Sequence, residues 1–393
     1  INYLRLNLGF DISGNDNIDY TASRSYFIAK NMLGNDITGK YLGNVGNSSL
    51  KWETTNRLTA GIEGNFFGNR LHAAFNVFKS WTSDLISLNK MSWTSGIDQN
   101  WGNNGKLENT GFDVSLAYKV INSKDFHWEL GASAGHYKNE VTALSNNNAS
   151  YETSAYGATI LTSVGNPVGV FYGYTTDGVF STTKEANDAA LYQLDETGNK
   201  VFFQAGDMKF VDRDGNHCID DADRVIIGDP NPDIYGNIFT HFNWKRWTLD
   251  ATFTYSLGND IFNYERSILE SGKYFYNQTT AMNSRWTTEG QVTSMPRISY
   301  QDPHGNARFS DRWIEDGSYL RLSNVTLSYS LPMNTTYLQG ITVWGAAYNL
   351  FTLTHYLGSN PDCTLSGNTL LQGIDRGLLG AGRTFAVGVK LNL

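Results

Sequence analysis

No stretch of the 393 residues approaches the roughly 18 consecutive apolar positions that a membrane-spanning helix needs, so transmembrane helices are excluded. Amphipathic helices are scarce as well, because apolar residues rarely recur at the 3.6-residue spacing over any length. Only two cysteines occur, Cys218 and Cys363, which fit no metal spacing and are too few for a disulfide framework; they are two free thiols or one bridge. Basic residues do not predominate: 30 Lys and Arg face 38 Asp and Glu, giving a net charge of −8 and a pI near 5.4. That removes the basic stripe on which nucleic-acid binding depends. Missing too are G-x-S-x-G, H-E-x-x-H and a glycine-rich phosphate cradle between strand and helix. Carboxylates scattered through polar loops make chance pairs, not a glycosidase-type acid pair, and the chain reads as a non-enzyme. No signal peptide opens the sequence, so the chain is expected to be a mature fragment or the later part of a longer protein.

What is abundant points to β structure. Aromatic residues reach 13%, with 10 Trp, 22 Tyr and 21 Phe beside 39 Gly, a composition that suits one large β unit better than several helical domains. The mean hydropathy of −0.37 does not argue against a membrane, because a transmembrane strand is apolar only at every second position. From Thr384 to Leu393 the residues Phe385, Val387, Val389, Leu391 and Leu393 share one face, opposite Thr384, Ala386, Gly388, Lys390 and Asn392. The same period of two marks Tyr3 to Ile12 and four hairpins. Leu58, Ala60, Ile62 and Phe66 pass over Gly68-Asn69 into Leu71, Ala73, Phe75 and Val77. Phe112, Val114, Leu116 and Tyr118 pass over Asn122 to Lys124 into Phe126, Trp128 and Leu130. Ile238, Phe242 and Trp244 pass over Lys245-Arg246 into Trp247, Leu249 and Phe253, with tryptophans flanking a basic turn as in an interfacial girdle. Val325, Leu327 and Tyr329 pass through Pro332 into Ile341 and Val343.

About ten strands result, joined alternately by short turns and by long loops at Ser13–Asn56, Trp81–Thr110, Tyr137–Tyr235, Gly258–Ser318 and Phe351–Arg383. Compact soluble domains rarely carry such loops, whereas outer-membrane barrels have short periplasmic turns and long extracellular loops. The expected fold is therefore all-β: an antiparallel transmembrane β-barrel wall with its long loops outside the cell and its polar residues, among them Glu63, His72, Asp113, Lys119, Glu129, Asp250 and Lys390, facing a wet lumen.

The longest loop contains an acidic segment, 212–223, with the D-x-D-x-N spacing of a twelve-residue calcium loop. Asp212, Asp214, Asn216, Asp220 and Asp223, with the Cys218 carbonyl, would supply the hard oxygens that calcium takes, making the ion structural. Two positions depart from the pattern: His217 stands where a glycine usually makes the sharp turn, and Asp223 stands where a longer glutamate is usual. The alternative is a solvated acidic loop that turns on its own Asp and Asn side chains.

Several runs resemble one family. Leu50-Lys-Trp-Glu53, Asn69-Arg-Leu71, Thr82-Ser-Asp-Leu85, Gly165-Asn-Pro-Val-Gly169, Tyr172-Gly-Tyr174, Gly206-Asp207, Ile227-Gly-Asp-Pro-Asn-Pro232, Glu315-Asp-Gly-Ser-Tyr-Leu-Arg-Leu322, Tyr329-Ser-Leu-Pro332, Asn349-Leu-Phe-Thr352 and Tyr356-Leu-Gly358 occur in order along nearly the whole chain. They are similar to the SusC/RagA-type TonB-dependent transporters of Bacteroidetes outer membranes. The resemblance implies a barrel of about 22 strands around a plug, an amino-terminal segment that contacts TonB, and a SusD-like surface lipoprotein as lid. It further implies import of a large nutrient, an oligosaccharide in preference to a peptide. Residues 1–393 would be the carboxyl-terminal part of such a barrel, without plug or TonB-contacting segment.

Aromatic side chains in the loops suit sugar faces, which makes Trp81, Trp93, Trp101, Tyr172, Tyr174, Tyr274, Phe275, Tyr276 and Trp286 candidate ligand-binding residues, each with core packing as the bland alternative. Two other functional classes compete: a passive or structural surface barrel that anchors a partner protein, and a secreted, calcium-stabilised β-sandwich that binds glycans.

Overall fold

The computed structural model describes the chain apart from residues 19–20, 33–36, 91–93, 95–98, 145–148, 334, 336, 364–368 and 393, with backbone alone at 30–32, 37–38, 88–90, 99, 104 and 369. Ten long strands dominate: β1 (Tyr3–Asn15), β2 (Glu53–Phe66), β3 (Leu71–Lys90), β4 (Gln99–Asn122), β5 (Phe126–Ala143), β6 (Ile234–Trp244), β7 (Trp247–Leu257), β8 (Tyr319–Pro332), β9 (Gly340–Thr354) and β10 (Thr384–Asn392). They form one sheet in chain order, antiparallel wherever a register is defined, with β1 and β10 at its edges. All ten expected strands are present. No described helix is long and apolar enough to cross a membrane, which leaves crossing by strands open.

Two compact units partition the chain. The first comprises Ile1–Ala117, Gly135–Tyr151 and Thr162–Val168. In it, the registers place Leu6 opposite Ile62 and Ile62 opposite Phe75, so the apolar residues line up across three strands on one face. That face is open: Leu8 is 85% exposed, and Leu4, Leu6, Phe10, Ile12, Leu58, Ile62, Phe75 and Val77 are exposed with it. Phe67, Gly68 and Asn69 all take positive φ to reverse the chain between β2 and β3, the conformation a tight hairpin turn requires. Glu53 of the Leu50–Glu53 run ties three strands together, its Oε1 accepting from the Ile86 amide at 2.9 Å and its Oε2 from Asn15 Nδ2 at 2.8 Å.

The second unit comprises Tyr118–Ala134, Glu152–Leu161 and Gly169–Leu393. An apolar row crosses it through Phe242, Leu249, Leu327, Gly345 and Val387, and the neighbouring polar row runs through His241, Asp250, Thr326, Ala346 and Ala386. Val387 is 88% exposed, and Phe385, Val389 and Leu391 are exposed beside it. Trp244 and Trp247 flank the Lys245-Arg246 turn as expected, both exposed, with Lys245 Nζ 5.9 Å from the Trp244 ring. Apolar side chains standing outward in aligned rows are what a wall bathed in lipid presents. A water-soluble sandwich would bury them against a second sheet.

The burial that the strands lack is found in the long connections. Thr176–Val179 pairs with Met208–Phe210 and Tyr192–Leu194 with Lys200–Phe202, around helix α1 (Thr183–Ala189). Val179, Phe180, Leu191, Phe203, Met208, Phe210 and Ile219 form a buried core beneath them. A second core joins Ile160, Phe171, Phe262, Trp313 and Ile374, where Asp260–Asn263 pairs antiparallel with Ile314–Asp316 and parallel with Ile374–Asp375, ahead of helix α2 (Tyr264–Leu269). The connection expected at Trp81–Thr110 is corrected: β3 continues to Lys90 and β4 begins at Gln99, so most of that span is strand. The longest loop likewise starts later than expected, because β5 runs to Ala143. Outside the lipid both faces of a strand meet water, alternation disappears from the sequence, and the ladder continues without it.

Candidate functional site

The acidic segment leaves the strand Met208–Phe210 and ends in a short 3₁₀ turn, Asp221–Asp223. Its middle is pinned to the loop core: Ile219 is buried there, the His217 carbonyl accepts from the Tyr192 amide at 2.9 Å, and the Ile219 amide donates to the Tyr192 carbonyl at 2.8 Å. Gly215 and His217 both take positive φ, 76° and 62°, so the sharp bend is made with a histidine in the left-handed region, held by a 3.2 Å contact from its Nδ1 to the Ala189 carbonyl. The missing glycine therefore does not prevent the turn.

Within the loop the carboxylates of Asp212, Asp214 and Asp223 converge, with ligand oxygens within 4.8 Å of one another. Asp223 is fully buried and accepts the Arg213 amide at 2.7 Å and the Asp220 amide at 2.9 Å. Asp212 accepts the Gly215 and His217 amides at 2.8 and 2.9 Å. Desolvation would raise its pKa, but the His217 and Gly215 N–H groups together outweigh that and hold the carboxyl below the usual range. The two nearby arginines point elsewhere: Arg213 Nη2 contacts Thr175 Oγ1 at 3.4 Å, and Arg224 pairs with Glu152 at 2.9 Å and Asp221 at 3.3 Å. Three hard oxygen donors with no facing arginine suit a calcium-sized cation rather than a soft metal. The other expected ligands are engaged within the loop. Asn216 Oδ1 accepts from the Cys218 amide, and Asp220 caps the 3₁₀ turn by accepting from the Ala222 amide at 2.8 Å. Cys218 is a free, buried thiol, as is Cys363.

Beside this loop lies a node that the sequence did not single out chemically. Asp207, fully buried, accepts Arg297 Nε at 2.8 Å and Arg297 Nη2 at 3.1 Å, Asn306 Nδ2 at 2.8 Å and the Gln204 amide at 2.8 Å. Asn306 in turn accepts from the Met208 amide at 2.8 Å, so one carboxylate fastens the approach to the acidic loop onto a segment some 90 residues later in the chain. The preceding Gly206 has φ +85° and lies against the Trp286 ring, where a side chain would collide. A Gly-Asp pair is too common for the sequence alone to reveal this.

The candidate aromatic residues divide by environment. Tyr274 and Tyr276 are exposed with ring centroids 5.4 Å apart, and Phe275, 90% exposed, stacks on Tyr300 at 4.9 Å. These form an open aromatic cluster. Tyr174 instead packs on Phe210 at 5.9 Å and under the Arg308 guanidinium at 5.0 Å, and burial raises its phenol pKa. Tyr172 lies under Arg224 at 5.0 Å. Trp286 is half-buried, its Nε1 donating to the Ser181 carbonyl at 3.1 Å. Trp81 and Trp101 sit on β3 and β4 rather than in a loop, Trp81 with Lys79 Nζ 5.4 Å from its ring. Trp93 lies outside the described residues.

The Glu315–Leu322 run supplies buried ionic scaffolding. Glu315 accepts Arg266 Nη1 at 2.7 Å and the Leu357 amide at 2.9 Å, and Arg266 Nε also reaches Glu270 at 3.0 Å. Arg312, stacked on Trp313 at 4.2 Å, has its pKa pushed down to about 10, by burial first and by the Arg266 charge second.

No protein-family model matches the chain. Individual proteins do. A TonB-dependent receptor of Formosa agariphila is 31% identical over 369 residues, covering 90% of this chain and 36% of that protein. TonB-dependent receptor SusC of Bacteroides thetaiotaomicron is 27% identical over 413 aligned positions, covering 99% of this chain and 37% of that protein. Among solved structures, a chain of the RagAB peptide importer in its "closed-closed" state superposes with a TM-score of 0.77 at 24% identity, and a chain of the RagAB peptide transporter with 0.75 at 25%; each covers 99% of this chain and 40% of the other. The chain thus spans somewhat under half the length of the relatives it matches. With its outward-facing apolar rows, its ten-stranded sheet and these likenesses, the chain belongs to the SusC/RagA-type TonB-dependent receptors, β-barrel proteins of the outer membrane.

Proposed function

We propose that this chain serves TonB-dependent, energised import of a large nutrient across the outer membrane. Its ten strands supply wall, and its folded long connections supply the extracellular surface that meets cargo and a SusD-like lipoprotein lid. The TonB complex would be engaged through other parts of the receptor. The observation that carries this reading is the pairing of an exposed apolar strand face with compact cores confined to the loops on one side. No catalytic step is assigned, in keeping with relatives named as receptors and transporters. We read the cargo as an oligosaccharide because the loops present aromatic rings on which sugar C–H faces stack. A peptide is the second reading, favoured by the likeness to the RagAB peptide importer. We further propose that Asp212, Asp214 and Asp223 hold a structural calcium ion in the acidic loop.

Growth of the source bacterium on oligosaccharides and on peptides, with and without the receptor gene and in a strain lacking TonB, tests the import reading. Loss of growth on an oligosaccharide in both strains supports it. Loss on peptides alone transfers the cargo to the second reading, and growth that survives TonB deletion but not receptor deletion leaves a passive barrel.

A further inference from the structure

A cleft of about 370 Å³ opens between α1 and the segment from Trp286 to Arg297, built wholly from the long connections of the second unit. We propose that it binds one neutral pyranose unit of a glycan, which rests on the oligosaccharide reading above and adds to it a site of defined chemistry.

The argument begins with charge. Arg297 lines the cleft, but its Nε and Nη2 are matched to the fully buried Asp207, and Glu289 of the same segment reaches across to α1, its carboxylate accepting from the Thr183 amide at 2.7 Å and Thr183 Oγ1 at 3.1 Å. The lining thus carries one carboxylate and one cation that the buried Asp207 already neutralises, so an acidic sugar, a phosphate or a peptide carboxylate meets no net positive charge there. The remaining polar groups are neutral. Among the described residues, the exposed side-chain amides of Asn187 and Gln204 make no hydrogen bond, and Arg297 Nη1 likewise has no partner. Amides donate and accept, as sugar hydroxyls do, so they pair with a hydroxyl in either sense.

Trp286 provides the apolar wall, its ring braced against Gly206 and fixed by the Nε1 bond to the Ser181 carbonyl. Asp207 stiffens the whole, because the Gln204 backbone and the Arg297 side chain are both mounted on it, which lowers the ordering cost of binding. An aromatic wall with a few convergent polar groups, in a volume within the usual range of roughly 300–1,000 Å³, is the ordinary make-up of a small-ligand cleft.

The full-length receptor in detergent is probed on an array of neutral oligosaccharides, uronic-acid oligosaccharides and hexapeptides, and the strongest neutral binder is then titrated calorimetrically. N187A/Q204A alters two exposed side chains without partners and should fold normally. At least a tenfold loss of affinity is expected with N187A/Q204A, and near-complete loss with Trp286→Ala. Should Trp286→Ala fail to fold, N187A/Q204A alone decides. Neutral-glycan binding that N187A/Q204A leaves unchanged overturns the site while sparing the import reading. Selection of acidic glycans or peptides, or capture of no neutral glycan, also overturns it; coupled with growth loss on peptides alone, that result removes the oligosaccharide reading too.

Discussion

Strand wall and loop modules use the same β ladder and invert its burial. In the wall, Val387 and Leu8 stand 88% and 85% exposed on regular strands, each laddered to one neighbour at an edge of the sheet. In the loops, strands of two to six residues enclose Phe180, Phe171 and Ile374 with no exposure at all. The difference lies in the solvent each was selected for. Lipid accepts an apolar face, so the wall needs no second layer, whereas water drives the loop residues into cores. Backbone pairing holds the first region together, and apolar burial the second.

Four measurements bear on that contrast. The largest effect is expected inside a loop core: Phe180→Ala should cost about 3–5 kcal/mol locally, seen as faster hydrogen exchange across Thr176–Phe210 while the wall strands keep their protection. Exchange that rises equally in β6 to β10 would mean that the two regions do not fold by separate means. Next, Val387→Arg in a reconstituted bilayer should destabilise the receptor by about 2–4 kcal/mol if the site lies near the midplane. The milder Val387→Ala should cost well under half of that. A neutral Val387→Arg would show that the face does not meet lipid.

Smaller effects concern the loop chemistry. Calcium should bind the intact receptor and give little heat with D212A/D214A; equal heats would retire the ion. Last, burial pushes the Cys363 thiol up to about 12, with the Asp375 and Asp362 charges adding to it. Its folded pKa lies above the unfolded value near 8.5, so the stability it contributes is whole below that pH and drains away as pH climbs toward 12. At pH 8 iodoacetamide should therefore leave Cys363 unmodified until the loops are unfolded with urea. Rapid labelling of native protein would contradict its place against Ile261 and Tyr356.

The wall was readable because each of its residues announces its face locally: Phe385, Val387 and Val389 alternate with Ala386, Gly388 and Lys390 whatever lies next to them. The strand ends were not readable. Trp81 and Trp101 belong to ladders that continue where both faces are wet, and only the partner strand decides that. The acidic loop was half readable: spacing found Asp212, Asp214 and Asp223, but whether Asn216 and Asp220 face an ion or the loop's own amides depended on backbone angles at Gly215 and His217.

By itself, then, the sequence determined the number of strands, their outward face and their family, because a period of two and a run of short words are local properties. Tertiary structure alone decided which aromatic residues are open, as Phe275 is, and which are packed, as Tyr174 is. It also placed Asp207 beneath Arg297, Asn306 and Gln204. Those outcomes rest on contacts between separate stretches of chain, Tyr174 on Phe210 and Asp207 on Arg297 some 90 positions later, which no local pattern encodes.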